Sequence, residues 1–322
     1  RVFNPSRKPI SPRSLWLTLK QPLNHREPET KLALSAPCWA AETVAQAAQL
    51  ACLLEVSAEK PGNVTPSYAF SDMSYEDFLR SAVAIGPELG RAGERRVGET
   101  ILAAITATRR WTAANTNLGI VLLLAPLARA ALSEPPPLRA GLSRVLADLS
   151  VYDAQQSYRA IRLAAPGGLG DGVAHDVHVE PAVTLGQAMY SARERDSVAA
   201  EYTSDYALTF ELGLPALQAA MATGLSQRLA VVQVYLEILA AIPDTLIARK
   251  RGRPLAESVT RQAQQVVKAG GVHTAAGPQG VAVFDLRLRK AADNSLTPGT
   301  TADLVAAVLF VALLSEQGSS TE

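Results

Sequence analysis

The sequence has few cysteines, few aromatic residues and almost no net charge. Only two of its 322 residues are cysteine, Cys38 and Cys52, and they form no CxxC pair. Neither a disulfide framework nor a structural zinc site is therefore expected, and a reducing compartment, the cytoplasm, fits best. A formal net charge of +1 gives no electrostatic basis for binding nucleic acid. These absences favour a cytoplasmic protein that acts on small molecules.

The sequence also lacks long hydrophobic runs. The two longest, Leu118–Ala128 and Leu304–Leu314, are bounded by Arg129 and Asp303. Both are shorter than the ~20 residues that a transmembrane helix requires, so no membrane association is expected. Because each run is apolar on every face, it predicts a helix enclosed at the centre of the fold.

Alanine, leucine and valine supply most of the apolar content, since 48% of residues are hydrophobic but only 5% are aromatic. Alanine and leucine are strong helix formers, and proline and glycine punctuate the chain at helical spacing. We predict an all-α fold, a compact multi-helix bundle with central apolar helices. Residues 1–30 are basic and form a flexible arm, and residues 31–322 form a single catalytic domain. The predicted helices are 40–59, 74–86, 95–111, 116–132, 138–149, 151–164, 184–194, 196–212, 214–223, 225–241, 254–269, 279–292 and 300–316.

A short segment early in the chain combines ionisable residues with a helix stop. On a helical wheel, Glu55 falls on the apolar side, where a carboxylate must be paired, metal-bound or protonated. An exposed helix end is the alternative. Pro61 ends the helix, and Gly62 lets the backbone approach a ligand closely. Lys60 then faces a phosphate or, alternatively, interacts with the helix dipole.

Two polar turns each open one of the apolar runs. Asn115-Thr116-Asn117 precedes the first, and Gly299-Thr300-Thr301 precedes the second. Asn and Thr are good N-caps, and a helix N-terminus readily holds an anion. We expect both helix starts to line one pocket, as the floor of a phosphate and metal site. The alternative for Asp303 is a purely structural capping box with Thr300.

A basic cluster, Arg249-Lys250-Arg251-Gly252-Arg253, is the densest outside the first 30 residues. It could hold a polyphosphate, or it could be a solvated loop between helices. The acidic residues show no spacing that proves a metal site. Mg²⁺ bound together with a triphosphate, however, needs only one or two carboxylates.

The order of these elements resembles that of the triphosphoribosyl-dephospho-CoA synthase family. Residues 55–64 look like its EVSA-x-KPG opening, and residues 115–119 resemble its NTHKG element. Asn117-Leu118 stands where that pattern has His-Lys, and Thr300-Thr301 stands where it has Gly-Ser. Further similar stretches are Asp72-Met73 with Phe78 and Ser81, residues 193–202, residues 244–250, and residues 298–304, which resemble its SPGGSADLLA element.

The resemblance implies an all-α transferase that moves the 5-triphosphoribosyl group of ATP onto the 2′-hydroxyl of 3′-dephospho-CoA and releases adenine, with Mg²⁺ as cofactor. It implies that Glu55, Asp72 and Asp303 are catalytic and that Glu55 and Asp303 bind the metal. The residues it places near the phosphates are Lys60, Gly62, Asn115, Thr116, Asn117, Arg249, Lys250, Gly299, Thr300 and Thr301.

Two alternatives stay open at this point. One is a related nucleotide-dependent transferase with a different acceptor, in the synthesis of a cofactor for one-carbon metabolism. The other is a non-catalytic helical binding protein. A large distance between the two helix starts in space would favour the second alternative. The sequence leaves open whether the chain forms a homo-oligomer.

Overall fold

The computed structural model describes residues 39–165, 179–274 and 277–319. The predicted basic arm, residues 1–30, lies outside these ranges. Within them no β-strand occurs, only an isolated bridge between Thr65 and Tyr68. The predicted all-α fold is confirmed. The described α-helices are α1 Ala41–Ser57, α2 Tyr75–Leu89, α3 Val97–Arg109, α4 Leu118–Ser133, α5 Leu138–Ala147, α6 Val151–Ala164, α7 Leu185–Ala192, α8 Ser197–Thr203, α9 Leu214–Ala222, α10 Gln227–Ala241, α11 Thr245–Arg251, α12 Arg253–Lys268, α13 Gly277–Arg289 and α14 Gly299–Ser319.

Helices α4 and α14 lie at the centre of the bundle. Every residue from 120 to 128 of α4 is buried, and so is every residue from 304 to 311 of α14. The two helices contact each other, and both contact α1. A helix that is apolar on every face must be surrounded by protein to remove that surface from water. The predicted central position of both helices is confirmed.

Pro126 lies inside α4 without ending it. A proline has no N–H to donate, so it leaves the carbonyl four residues earlier, that of Leu122, without its helical partner. The hydroxyl of Tyr202 donates to Leu122 O at 2.6 Å. The hydroxyl of Tyr206 donates to the next carbonyl, Leu123 O, at 2.9 Å. Two tyrosines therefore satisfy backbone acceptors that are buried in the core.

The predicted helix 196–212 is divided in the structure. Helix α8 ends at Thr203, and the chain passes through left-handed backbone conformations before a π-helix at Leu208–Gly213. The cause is the buried carboxylate of Glu201. It accepts hydrogen bonds from Leu208 N and Thr209 N, both at 3.0 Å, and from Thr209 Oγ1 at 2.5 Å. A side chain here replaces the helical acceptors, and the break brings Tyr206 to the core.

Helix α11 is absent from the predicted helices. The interpretation of the basic cluster, residues 249–253, as a loop is wrong: residues 249–251 end α11, Arg253 begins α12, and only Gly252 lies between the two helices. The α11 helix begins after Asp244, whose side chain accepts from Leu246 N at 2.9 Å and Ile247 N at 3.0 Å. It ends at Gly252, which has a φ of 90°. Seven residues span too few turns for hydrophobic periodicity to be recognised.

Helix α14 is longer than its apolar run. By length and composition alone, its part Gly299–Glu316 could cross a membrane, with a mean hydropathy of 1.6 over 18 residues. The bent pairs α4–α5 and α10–α11 pass the same test only if each pair is counted as one span. Of the α14 window, 67% is buried inside the protein. This burial agrees with a core helix, and the absence of membrane association stays a prediction.

Truncation of a central leucine tests this arrangement. Leu123 is fully buried in α4, so Leu123→Ala should lower the free energy of unfolding by about 2–5 kcal/mol through lost burial and a new cavity. Leu286 of α13 is 61% exposed, and Leu286→Ala should change it by no more than about 0.5 kcal/mol. Urea unfolding followed by far-UV circular dichroism measures both. Equal losses would contradict the central position of α4.

Candidate active site

A cavity of about 1270 Å³ opens beside the starts of α4 and α14. Its lining also includes the C-terminal part of α1, parts of α6 and α7, the junction between α7 and α8, and α11. The predicted meeting of the two helix starts is confirmed. Residues predicted for the site that line this cavity are Glu55, Asp72, Asn115, Thr116, Asn117, Arg249, Lys250, Gly299, Thr300 and Asp303. The other three, Lys60, Gly62 and Thr301, lie outside the lining.

Lys60 is buried behind the cavity and forms an ion pair with Glu55. Its Nζ lies 2.9 Å from Glu55 Oε1, and its side chain is 0% exposed. The same ammonium donates to the backbone oxygens of Glu55 and of Ala58. All three N–H donors are therefore directed at protein oxygens. Lys60 therefore does not face the cavity, and its charge neutralises a carboxylate of the protein.

Glu55 lines the cavity while Lys60 holds it from the protein side. Burial raises the pKa of Glu55 above its ordinary value, and the Lys60 ammonium opposes that rise. The fixed cation beside it provides the pairing that a carboxylate on an apolar helix face requires. The prediction of a paired carboxylate at position 55 is confirmed, and the partner is five residues further along the chain.

Asp303 faces the cavity close to Gly119. A Cβ atom on Gly119 would lie only 2.0 Å from Asp303 Oδ2, so a larger residue there would require the Asp303 carboxylate to move. Burial, followed by the negative charge of Glu55, raises the pKa of Asp303 well above its ordinary value. Among the described residues, none donates a hydrogen bond to this carboxylate. Helix α14 begins at Gly299, so Thr300 does not precede the helix, and the capping-box alternative for Asp303 is wrong.

Thr301 and Gly62 have structural contacts away from the cavity. Thr301 donates from N and from Oγ1 to Asp244 Oδ2, both at 2.8 Å. Gly62 has a φ of 75° and donates from N to Asp285 Oδ1 at 2.7 Å. A Cβ atom on Gly62 would lie 2.9 Å from Leu288 of α13. Neither residue therefore reaches the cavity: Thr301 joins two helices, and Gly62 allows a turn to pack on α13.

The Asn115-Thr116-Asn117 turn is held by its own side chains. Asn117 Nδ2 donates to Thr108 Oγ1 at 3.0 Å, and the Thr116 hydroxyl meets that of Ser81. The Asn117 side chain thus does not cap α4. From this turn, the start of α4 receives only one long side-chain hydrogen bond, from Leu118 N to Oδ1 of Asn115 at 3.4 Å. The start of α4 consequently presents its positive end at the cavity.

The cationic side of the cavity contains more residues than the sequence predicted. On α11, Nη1 of Arg249 lies 3.2 Å from Oδ2 of Asp196, the residue that caps α8. Lys250, the next residue of α11, is exposed. Arg109 and Arg193 also line the cavity. Arg193 was noticed only through the resemblance of residues 193–202, and Arg109 has no local signal. Long-range packing alone brings these cations together.

Similar proteins identify the family. The model of the ATP:dephospho-CoA triphosphoribosyl transferase family matches residues 41–322. The chain belongs to this family. A relative from Pseudomonas fluorescens, named as a probable 2-(5″-triphosphoribosyl)-3′-dephosphocoenzyme-A synthase, is 29% identical over 251 residues, which cover 76% of this chain and 74% of the relative.

A solved structure from Archaeoglobus fulgidus agrees with this assignment. It is named as that of a "putative triphosphoribosyl-dephospho-coA synthase" and is 25% identical to this chain. The TM-score is 0.56, and the alignment covers 73% of this chain and 97% of that one. This member of the transferase family is therefore an enzyme. A non-catalytic binding protein and a transferase with another acceptor are not favoured.

The Lys60–Glu55 pair in this transferase leads to a stability prediction. Lys60→Met leaves the Glu55 carboxylate buried without its cation and should lower the free energy of unfolding by about 3–5 kcal/mol. The double variant Glu55→Gln with Lys60→Met removes both charges and should recover a large part of that loss. Arg253→Met, which removes an exposed pair with Glu257, is the control and should change little. Equal stability of all variants in urea unfolding would contradict a buried ion pair between Lys60 and Glu55.

Proposed function

We propose that this enzyme transfers the 5-triphosphoribosyl group of ATP to the 2′-hydroxyl of 3′-dephospho-CoA and releases adenine. The family description and the name of the bacterial relative support this reaction. The structural observation that carries it is the one cavity in which Glu55, the Asn115–Asn117 turn and Asp303 meet, although they are far apart in sequence.

The size of the cavity suits two nucleotides. Its volume of about 1270 Å³ exceeds the ~300–1,000 Å³ of a typical site for one small ligand. A transfer between ATP and 3′-dephospho-CoA requires both molecules to be bound at once, with the ribose C1 of one beside the 2′-hydroxyl of the other. A site for a single nucleotide would need less space.

The charge distribution suits a triphosphate next to the two helix starts. The N-termini of α4 and α14 provide partial positive charge. Arg249 and Lys250 on α11 add full positive charges on the cavity wall. A guanidinium matches phosphate oxygens through paired N–H donors. We place the triphosphate between α11 and these helix starts.

In the reaction the bond between ribose C1 and adenine breaks, and the acceptor 2′-oxygen forms the new bond to C1. The acceptor hydroxyl loses a proton to a carboxylate of the cavity, and adenine takes up a proton as it leaves. Positive charge develops on the ribose in the transition state, and nearby carboxylates stabilise it. Asp303 is assigned to this position, because its carboxylate faces the cavity without a hydrogen bond from the described residues. Asp72, exposed at the cavity, is the second candidate.

The carboxylates of Glu55 and Asp303 would also hold Mg²⁺. Oxygen ligands are those that Mg²⁺ prefers, and triphosphate oxygens and waters complete its coordination. When bound, Mg²⁺ would neutralise charge on the triphosphate.

One wall of the cavity is apolar and suits the pantetheine arm of the acceptor. Helices α6 and α7 contribute Tyr158, Ile161, Leu185 and Met189 to the lining. Such a wall offers no charge to a triphosphate, whereas an uncharged arm can bury its methyl and methylene groups against it. We place the acceptor arm along α6 and α7.

An adenine-release assay tests the reaction. With ATP and Mg²⁺, the enzyme should release adenine only slowly without 3′-dephospho-CoA and at least tenfold faster with it, since 1.4 kcal/mol of acceptor binding in the transition state gives this factor. Chromatography measures adenine, and mass spectrometry measures the product. ADP, which has the same nucleotide but lacks the pantetheine arm, is the control acceptor and should react more slowly than 3′-dephospho-CoA. Absence of adenine release with 3′-dephospho-CoA would contradict the proposal.

Charge removal tests the two carboxylates. Asp303→Asn and Glu55→Gln should each lower the rate of adenine release by about 10²-fold or more, as expected when one preorganised group is lost. Asp148→Asn, an exposed carboxylate outside the cavity, is the control and should retain full activity. Circular dichroism verifies that each variant is folded. Full activity in folded Asp303→Asn enzyme would contradict its role.

A further inference from the structure

Asp244 is a buried carboxylate that two helices share. The residue is 1% exposed. Its Oδ1 accepts from Leu246 N and Ile247 N at the start of α11, at 2.9 and 3.0 Å. Its Oδ2 accepts from the N and Oγ1 of Thr301 at the start of α14, both at 2.8 Å. One side chain thus joins the N-termini of two helices.

Both joined helices carry residues of the cavity. Helix α11 presents Arg249 and Lys250, and α14 presents Thr300 and Asp303. A helix of seven residues is not stable by itself and depends on its tertiary contacts. The position of the two cations relative to Asp303 therefore depends on how α11 is attached to α14, and Asp244 is the direct link between their first turns.

Asp244 itself does not reach a ligand. It is absent from the cavity lining, and four N–H and O–H donors occupy its two oxygens. A carboxylate has about four acceptor positions, so none is left for a metal ion or a substrate. Its influence on the reaction must pass through the two helices.

We propose that Asp244 is a positioning residue that sets the distance between the phosphate-binding cations of α11 and the carboxylate of α14. The proposal rests on the proposed function. In a reaction between two bound nucleotides, the triphosphate anchors the ribose, so a small shift of α11 moves C1 away from Asp303 and the acceptor. Misplacement by about 1 Å can lower a rate by about 10²-fold.

Asp244→Asn tests this role. The amide turns an N–H₂ group toward one pair of donors, so one helix loses its acceptors. We expect kcat/KM for Mg²⁺·ATP to fall by about 10²-fold, with KM rising and kcat falling together. Thr301→Val removes one donor and should lower kcat/KM less. Thr301→Ser keeps the hydroxyl and should remain close to the unchanged enzyme.

Asp153→Asn is the matched control. Asp153 is also 1% exposed and also joins two helices, since it accepts from Gly98 N of α3 at 2.9 Å and from Ser150 N and Oγ before α6 at 2.9 and 2.6 Å. It lies outside the cavity lining. We expect it to lower the melting temperature as Asp244→Asn does. Because α3 and α6 carry neither the cations of α11 nor Asp303, kcat/KM for Mg²⁺·ATP should stay unchanged well below that temperature, and a change in KM for the acceptor would not bear on Asp244.

In the kinetics, two results would overturn the positioning role: an unchanged kcat/KM for Mg²⁺·ATP in Asp244→Asn, or equal losses of kcat/KM for Mg²⁺·ATP in Asp244→Asn and Asp153→Asn. The rise in melting temperature caused by Mg²⁺·ATP is a second readout that does not need turnover. It should shrink in Asp244→Asn and persist in Asp153→Asn. An unchanged rise in Asp244→Asn would also count against the positioning role. If the unchanged enzyme binds Mg²⁺·ATP but releases no adenine, the proposed reaction fails. The rise in melting temperature still tests whether Asp244 positions the nucleotide site.

Discussion

The enclosure of two helices that are apolar on every face is the constraint on which this structure depends. Helices α4 and α14 can be removed from water only when other helices surround them. Their polar N-termini then lie inside the protein, beside the core, and both N-termini line the cavity. Enclosure also requires every backbone group to be satisfied, and the hydroxyls of Tyr202 and Tyr206 do this at the proline of α4.

Three buried carboxylates connect elements around this core, and donors compensate all three. Lys60 neutralises Glu55, three donors surround Glu201, and four surround Asp244. Such compensation is required because an uncompensated buried charge is costly. Asp303 differs, since among the described residues it has no hydrogen-bond donor. A carboxylate left in this condition at a cavity is the kind of group that binds a substrate or metal.

The site combines family elements with local departures from them. Asn117 and Leu118 stand where the family pattern has His-Lys. The Asn117 amide donates a hydrogen bond to the Thr108 hydroxyl, and Leu118 adds an apolar surface to the cavity. Positive charge reaches the cavity from other helices, at Arg109 and Arg193. Arginine side chains from α3 and from the end of α7 thus bring positive charge to the cavity, while Glu55 and Asp303 supply its buried carboxylates.

The sequence alone determined the helical class and the central helices, because hydrophobic periodicity and apolar content on all faces report burial directly. It also indicated that both polar helix starts and Glu55 belong to one site. It did not indicate the protein partners of Lys60, Gly62 and Thr301, since periodicity reports that a face is buried but not which group it meets.

Only the tertiary structure decided those partners. Thr301 meets a carboxylate 57 residues away, and the adjacent Thr300 faces the cavity. Glu201 interrupts a helix that local propensity favours, because a buried carboxylate must be given donors even at the expense of helical hydrogen bonds. Short α11 likewise exists because Asp244 joins its start to α14. In each case the free energy depends on a contact across the fold, and no local pattern of residues carries that information.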